Sequence, residues 1–255
     1  AAWNTRDKLA MRKILDPLGL NPAWAAAASS AEVAEAVGRF GPVVVKPPNS
    51  YASVNVSRVD QPEDASLAYA KAVLGCGPRT VLVEAVMPGD VFVVDGIMSA
   101  GRFRPLAVLR KIPARPPCCF DSAVCTPPGI GPEQYNRLLD AAVRALCAMQ
   151  VVNGCCHVEL MGEPEPRVVE VAGYPAHNRF PADLAFLAGG VDCAAACAAA
   201  CAGAAEPPGN VAEPRGGRGA ALYWIPSRSG VVQRIDGEED ARRTPGVYEV
   251  VVAAR

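Results

Sequence analysis

Two glutamates, Glu159 and Glu170, lie in short apolar segments on either side of a polar turn. The segments are residues 155–161 (CCHVELM) and 167–172 (RVVEVA), which together predict an antiparallel hairpin. If the turn is centred on residues 164–165, strand alternation places both carboxylates on one face. Facing carboxylates repel unless a proton or cation lies between them, and such oxygen ligands suit Mg²⁺. The residues alone leave two alternatives open, a Mg²⁺ site and a solvent-facing pair of acids.

A second candidate is Lys46, which ends the apolar segment PVVVK and precedes a loop of small and turn-forming residues, PPNSYAS. A lysine at the end of a buried strand is costly without an anion, and small residues let backbone N–H groups approach phosphate oxygens. The pattern therefore predicts a phosphate contact. The alternative is a lysine that extends its ammonium group to solvent. A P-loop is excluded, because no GxxxxGK[ST] motif occurs in the chain.

Composition limits the function classes. The 255 residues are 51% hydrophobic and 20% charged, with a net charge of −1, as in an ordinary globular protein. Basic and acidic residues are interspersed, which argues against nucleic acid or an anionic membrane as a partner. Since no apolar run approaches about 20 residues and the first residues, AAWNTRDKLAMRK, lack the apolar core of a signal peptide, we expect a cytoplasmic protein. A helix predicted almost from the first residue, alanine, suggests that an N-terminal part is missing.

The ten cysteines suggest reduced thiols rather than a disulfide framework, because the chain is long and rich in regular structure. Cys193, Cys197 and Cys201 recur every four residues among alanines, which predicts buried packing along one helical face. Cys155 and Cys156 point to opposite faces of a strand and cannot both bind one ion. The neighbouring His157 has either a supporting role at the metal side or an ordinary packing role.

Helices and strands must position these side chains. Capping residues and apolar periodicity predict helices from Thr5 to Gly19, from Ser29 to Gly38, from Pro62 to Leu74, from Pro132 to Leu146, and near residues 183–203. Apolar segments predict strands at residues 42–46, 54–59, 80–86, 90–98, 103–110, 155–161, 167–172, 221–225, 230–235 and 246–252. Short turns make residues 80–110 an antiparallel meander, which is followed by a long loop at residues 112–130.

This order of motifs resembles the ATP-grasp superfamily over roughly residues 5–250, and its amino-acid ligase branch in particular. The resemblance rests on a helix with a lysine, VVVKP, a small-residue loop, VLVEAVMPGD, a meander, an amphipathic helix, HVEL and VVEVAG. It implies an α+β, two-lobed fold with antiparallel sheets, flanking helices and ATP in the cleft. The expected domains are a smaller lobe at residues 1–83, a larger lobe at 84–205 with the metal site, and a linker with C-terminal strands at 206–255 packed on the larger lobe.

The resemblance also implies roles for individual residues. The predicted phosphate contacts are Lys8, Lys46, the closing loop 49–53 with Ser53, and, as a weaker candidate, Lys111. The predicted adenine pocket is lined by Glu84, Val86 and Met87. Glu159 and Glu170 match the ligands of Mg²⁺, for which Mn²⁺ is an alternative. Tyr174 stands where an arginine usually steadies the acylphosphate, and Arg179 is a substitute for it.

The implied reaction is an ADP-forming ligation, in which ATP converts a carboxylate to an acylphosphate that an amine attacks. The implied partners are ATP, a small carboxylate and an amine, both of them amino acids. Three departures from the family pattern, Val91, Ala172 and Tyr174, leave a nucleotide-binding pseudo-enzyme as the alternative. The resemblance does not name the substrate or the oligomeric state.

Overall fold

The computed structural model describes residues 4–50, 53–74, 79–113, 121–162, 164–173, 180–203, 219–223, 231 and 233–252. The α-helices in these residues are α1 (Lys8–Leu15), α2 (Ser30–Phe40), α3 (Ala65–Leu74), α4 (Pro132–Ala148), α5 (Phe180–Gly189), α6 (Cys193–Cys201) and α7 (Glu238–Arg243). The strands are β1 (Trp24–Ala27), β2 (Val43–Lys46), β3 (Ser57–Val59), β4 (Val81–Ala85), β5 (Val91–Ser99), β6 (Arg102–Pro113), β7 (Asp121–Thr126), β8 (Gly154–Met161), β9 (Arg167–Ala172) and β10 (Ala220–Tyr223).

Four strands form an antiparallel sheet in the order β1-β4-β2-β3. Helices α2 and α3 cover it, and their alanines and valines pack with Val43, Val45 and Val83 in one apolar core. This burial explains why a run as short as VVVK forms a strand, since Val43 and Val45 are completely buried on the face that packs against the helices. In this sheet Lys46, at the end of β2, lies opposite Leu82 near the start of β4.

The other six strands form an antiparallel sheet in the order β10-β7-β6-β5-β8-β9. Helix α4 packs on it through Leu138 and Leu146, which are almost completely buried together with Phe92. Met11 and Leu15 of α1 belong to the same core. Helix α1 thus precedes the four-stranded sheet in the chain but packs on the six-stranded one.

The predicted α+β class with antiparallel sheets is confirmed, and several element predictions need correction. Helix α1 begins after Asp7 rather than at Thr5, because the Asp7 carboxylate accepts hydrogen bonds from the N–H groups of Leu9 (2.9 Å) and Ala10 (3.1 Å). Helix α2 is capped by Ser29 as predicted, but it continues through Gly38 and stops only at Gly41, whose φ is 77°.

The prediction of a three-stranded antiparallel meander over residues 80–110 is wrong for its first strand. Strands β5 and β6 do form an antiparallel pair, but β4 lies between β1 and β2 in the other sheet. The predicted loop at residues 112–130 also contains β7, which pairs with β6. In both places, the partner of a strand is decided by burial against distant elements rather than by the length of the nearest turn.

One cysteine pair departs from the expected reduced state. Cys155 on β8 and Cys197 on α6 form a disulfide, with their Cα atoms 5.6 Å apart. The predicted helical face is only partly buried, since Cys193 is half-buried and Cys201 is exposed. The free thiol of Cys156 is buried on the other face of β8, as strand alternation predicts.

Residues 224–255 form a compact unit of their own, in which α7 is the regular element of the described part. Strands predicted at 230–235 and 246–252 do not occur there in the described residues.

Among the residues that the structure describes, no single helix has the length and apolar character needed to cross a membrane. Residues 182–189 and 193–201 meet that test only as a pair bent by 115°.

Candidate functional site

Helix α1 carries Lys8 into contact with both the hairpin and the loop after β2. The Lys8 Nζ atom lies 3.0 Å from Glu170 Oε1, and it donates a hydrogen bond of 2.5 Å to the Ser50 carbonyl. The Lys8 backbone N–H donates to the Pro48 carbonyl at 2.9 Å. Only 8% of the lysine side chain is exposed. Lys8 therefore joins the predicted phosphate loop to one of the predicted metal ligands.

Glu84 on β4 is held by two cations at once. One carboxylate oxygen accepts from Arg12 Nε, and the other lies 2.5 Å from Lys46 Nζ. Burial alone raises the pKa of Glu84, but Lys46 and Arg12 outweigh burial and hold that pKa below its usual range. Burial, together with Arg12 and Lys8, lowers the pKa of Lys46 despite its contact with Glu84. Lys8, Arg12 and Lys46 together carry one positive charge more than Glu84 and Glu170, the carboxylates that they contact.

Arg12 was not among the site residues that the sequence predicted. It is completely buried, and its guanidinium group donates to the carbonyl groups of Val168 (2.7 Å) and Val169 (2.9 Å) as well as to Glu84. The one available signal was its position four residues after Lys8, which places both cations on the same face of α1. That spacing alone is common on exposed helices, so it does not identify a buried arginine.

Glu159 on β8 lies at the centre of a second charged group. Lys111 Nζ is 2.6 Å from its carboxylate and 3.0 Å from Asp121, while His157 Nε2 is 3.2 Å away. Burial alone raises the pKa of Glu159, but Lys111 and His157 together hold it well below its usual value. The other ring nitrogen of His157 lies 2.7 Å from Asp95.

The same contacts determine the charge of His157. Burial alone lowers the pKa of this imidazole, but Asp95 and Glu159 on either side of the ring raise it to about 10. The ring is therefore an imidazolium at neutral pH. Both ring nitrogens of His157 thus contact carboxylates, those of Asp95 and Glu159, and its role at a metal stays a prediction.

The predicted hairpin is confirmed, and Glu159 pairs directly with Glu170 in its register. Within the described residues, no group of three or more His, Cys, Asp or Glu side chains could hold a metal ion. Two opposed carboxylates nevertheless fit Mg²⁺, which commonly takes one or two protein carboxylates and completes its shell with phosphate oxygens and water. The donor set therefore suits a metal that arrives with a phosphorylated substrate.

The model of the ATP-grasp domain family matches residues 40–177, more than half of the chain. The chain belongs to the ATP-grasp domain family. This match spans the strands that carry Lys46, Glu84, Lys111, Glu159 and Glu170.

Known proteins with similarity to this ATP-grasp chain include carnosine synthase 1 of Mus musculus, which is 33% identical over 99 residues. That match covers 38% of this chain and 12% of the relative. The L-amino acid ligase from Bacillus licheniformis has a similar structure, with a TM-score of 0.73 and 21% identity over 94% of this chain and 58% of the ligase. The biotin carboxylase domain of 2-oxoglutarate carboxylase from Hydrogenobacter thermophilus, solved with ADP, magnesium and bicarbonate, has a TM-score of 0.60. It is 15% identical, over 74% of this chain and 43% of that one.

The other residues predicted for the site lie after β4, in the loop after β2, or outside the described residues. Val86 and Met87 follow β4 and are half-buried, and the Val86 N–H donates to the Pro42 carbonyl at 2.9 Å. Ser53 is exposed, with a φ of 56°. Tyr174 and Arg179 lie outside the described residues.

Two departures from the family pattern have defined surroundings. Val91 begins β5 and lies opposite Lys111, and the neighbouring Asp90 pairs with Arg110 at 2.8 Å. Ala172 is buried opposite His157 on the hairpin. The side chain of an alanine has no atom that can bind a metal, so this position offers no side-chain ligand beside the two predicted ones.

Proposed function

We propose that this chain binds Mg-ATP at the charged site between its two sheets and uses it to join a carboxylate to an amine. The observation that carries the proposal is the convergence of Lys8, Lys46 and Lys111 on the carboxylates Glu84, Glu159 and Glu170. Similarity to an amino-acid ligase and to carnosine synthase 1 supports this substrate class.

The lysines suit the binding of phosphate groups. An ammonium group has three N–H donors, and Lys46 uses one of them on Glu84, so it can serve a phosphate oxygen without leaving the carboxylate. Lys8 donates to Ser50 and Glu170 in the same way. Because these groups are largely buried, their charges are screened less by water than those on the surface. The nucleotide phosphates would therefore replace solvent around cations that are already in position.

Glu159 and Glu170 would hold Mg²⁺, with Mn²⁺ as an alternative. When bound, the ion neutralises charge on the phosphate oxygens during transfer. Lys111 and His157 keep Glu159 ionised and orient its carboxylate, which is the state that a metal ligand requires. Lys8 orients the carboxylate of Glu170 through their contact of 3.0 Å.

The proposed reaction breaks the bond between the γ-phosphorus of ATP and its bridging oxygen, releasing ADP, and forms a bond from that phosphorus to a carboxylate oxygen. The amine then attacks the carbonyl carbon of this acylphosphate, and inorganic phosphate leaves as the amide forms. Such transfer depends mainly on positioning and charge stabilisation, so it needs no nucleophilic side chain. The charged groups described above are suited to that role.

A nucleotide-binding pseudo-enzyme of the same fold is the second candidate, and Ala172 is the observation that favours it. It lies beside the predicted metal ligands without a coordinating atom. Under this alternative, the site would bind nucleotide but would not stabilise the transferring phosphoryl group. Val91 and Tyr174 are the other departures that support it.

Two measurements separate these candidates. Calorimetry with Mg-ATP tests binding, and ADP release in the presence of amino acids, added singly and in pairs, tests ligation. ADP that forms only when amino acids are added, with an amide-linked product, supports the ligase. Binding without such turnover supports the pseudo-enzyme, and the absence of binding contradicts both. The Glu159→Gln variant is the control for metal-dependent turnover.

A further inference from the structure

Arg12 has the most demanding environment of the charged side chains in the described residues. Its side chain is completely inaccessible to solvent, although arginine is almost never buried in this way unless it is paired. Removing a guanidinium group from water is costly, and the cost is repaid only if its N–H donors are satisfied. The surroundings of Arg12 are arranged to do so.

The donors of Arg12 reach both sheets. Its Nε atom donates to Glu84 on β4, in the four-stranded sheet. Its Nη1 and Nη2 atoms donate to the carbonyl groups of Val168 (2.7 Å) and Val169 (2.9 Å) on β9, in the six-stranded sheet. Asn21 adds a contact of 3.3 Å with Nη1 and donates to the Arg12 carbonyl at 2.6 Å. One planar group thus joins an edge strand of one sheet to an inner strand of the other.

The residues on either side of these contacts belong to the proposed site. Glu84 also contacts Lys46, the predicted phosphate ligand at the end of β2. Val169 is followed directly by Glu170, which pairs with Lys8 one helical turn before Arg12. A shift of the Arg12 guanidinium group would therefore move the phosphate side and the metal side of the site relative to each other.

We propose that Arg12 is a positioning residue that fixes Glu84 and Lys46 relative to Glu170, so that nucleotide and metal bind as one unit. The expected effect on nucleotide and metal binding rests on the proposed function. The coupling of β4 to β9 rests on the contacts of Arg12 alone. A lysine at this position retains the charge but lacks the planar fork, so it cannot reach a carboxylate and two carbonyl groups together.

The first test needs no ligand. Hydrogen exchange is compared between wild type and Arg12→Lys at residues 81–86 and 167–172. The proposal expects faster exchange in both segments, because both lose a donor from the same group. Faster exchange in only one segment, or in neither, would overturn the coupling. If wild type fails to bind Mg-ATP, the proposed function fails, and this measurement still decides whether Arg12 couples the strands.

The second test measures the ratio of ATP affinities with and without Mg²⁺. Arg12→Lys should weaken Mg-ATP binding by about tenfold and metal-free ATP binding much less, since loss of a charged hydrogen bond has effects of this order. The ratio should therefore fall. A variant that is only less stable keeps the wild-type ratio when it is measured well below its melting temperature, and an unchanged ratio would contradict the positioning role.

Arg144→Lys is the matched control. Arg144 also donates from its guanidinium group to a carbonyl of another element, Leu18, at 2.8 Å, but it lies on α4 away from the charged site. This variant should leave both readouts as in wild type. If Arg12→Lys does not fold, Asn21→Ala replaces it, because Asn21 orients Arg12 without contacting Glu84 or Glu170. It should change both readouts in the same direction by a smaller amount, and wild-type behaviour in both would refute the proposal.

Discussion

Glu159 and Glu170 are directly opposed on β8 and β9, yet each carboxylate is paired with its own lysine. Lys111 lies 2.6 Å from Glu159, and Lys8 lies 3.0 Å from Glu170. Facing carboxylates repel unless cations lie near them, and here lysine side chains from two different elements supply those cations. Consequently, repulsion between the carboxylates is not expected to destabilise the metal-free protein, and a metal would share its ligands with these lysines.

Glutamine substitutions test whether the two carboxylates act on one metal. Either Glu159→Gln or Glu170→Gln should reduce Mg²⁺-dependent ATP affinity by roughly tenfold or more, and the double variant should add little, because residues that share one ligand are not additive. Calorimetry with Mg-ATP measures this. Glu165→Gln, in the exposed turn of the same hairpin, is the control. Full additivity of the two single effects would show that the carboxylates act separately.

The same variants should also lower stability without metal. Glu159→Gln removes one of the two carboxylate charges beside Lys111 and one of the two beside His157, which should cost roughly 1–3 kcal/mol of unfolding free energy. Denaturant unfolding in the presence of a chelator gives this value. A glutamine variant that is more stable than wild type would mean that repulsion between the acids outweighs their pairing with lysines.

Replacement of Lys46 tests the phosphate contact. Lys46→Ala should weaken ATP binding by about tenfold to a hundredfold, or roughly 1.5–3 kcal/mol. The fold should persist, because Arg12 still neutralises Glu84. Lys13→Ala is the matched control, since Lys13 is an exposed lysine on α1. Nucleotide affinity that is equal in the Lys46 variant and in wild type would remove Lys46 from the site.

Thiol reactivity should follow burial. Burial and the nearby Asp95 raise the pKa of the Cys156 thiol to about 12, so very little reactive thiolate exists at pH 8. Iodoacetamide should therefore label the exposed Cys147 of α4 in the native protein and Cys156 only after unfolding. Because the folded pKa lies above the ordinary value of 9.0, the stabilising contribution of the thiol is lost as the pH rises from about 9 towards 12. Mass spectrometry measures the labelling rates, and equal rates for Cys156 and Cys147 in the native protein would contradict this prediction.

Alanine substitutions at two glycines, Gly96 and Gly38, should change the stability of the protein in opposite directions. A Cβ atom at Gly96 would lie 2.5 Å from the Arg104 carbonyl oxygen and from the Phe103 ring, where β5 has a register shift. Gly96→Ala should therefore destabilise the protein by about 1–3 kcal/mol. Gly38 lies inside α2 with open space around it, so Gly38→Ala should stabilise by about 0.5–1 kcal/mol. Thermal or denaturant melts of both variants test this pair, and a Gly96 variant as stable as wild type would show that the bulge relaxes freely.

Local patterns in the sequence were sufficient for the hairpin and for α4. The two-residue alternation of a strand and the 3.6-residue period of a helix depend only on neighbouring residues, so they predict which side chains share a face. That information placed Glu159 opposite Glu170, and it predicted Lys46 at the end of a buried strand. The order of these motifs along the chain then identified the family.

The tertiary structure decided which charges meet. Arg12 and Glu84 are separated by 72 positions and Lys8 and Glu170 by 162, and no local period relates residues so far apart. The packing of apolar faces also decided three other features. These are the sheet to which β4 belongs, the presence of β7 in the predicted loop, and the burial of Arg12. Packing removes these side chains from water, and a buried ion must then find its partner wherever the fold brings one within hydrogen-bond distance.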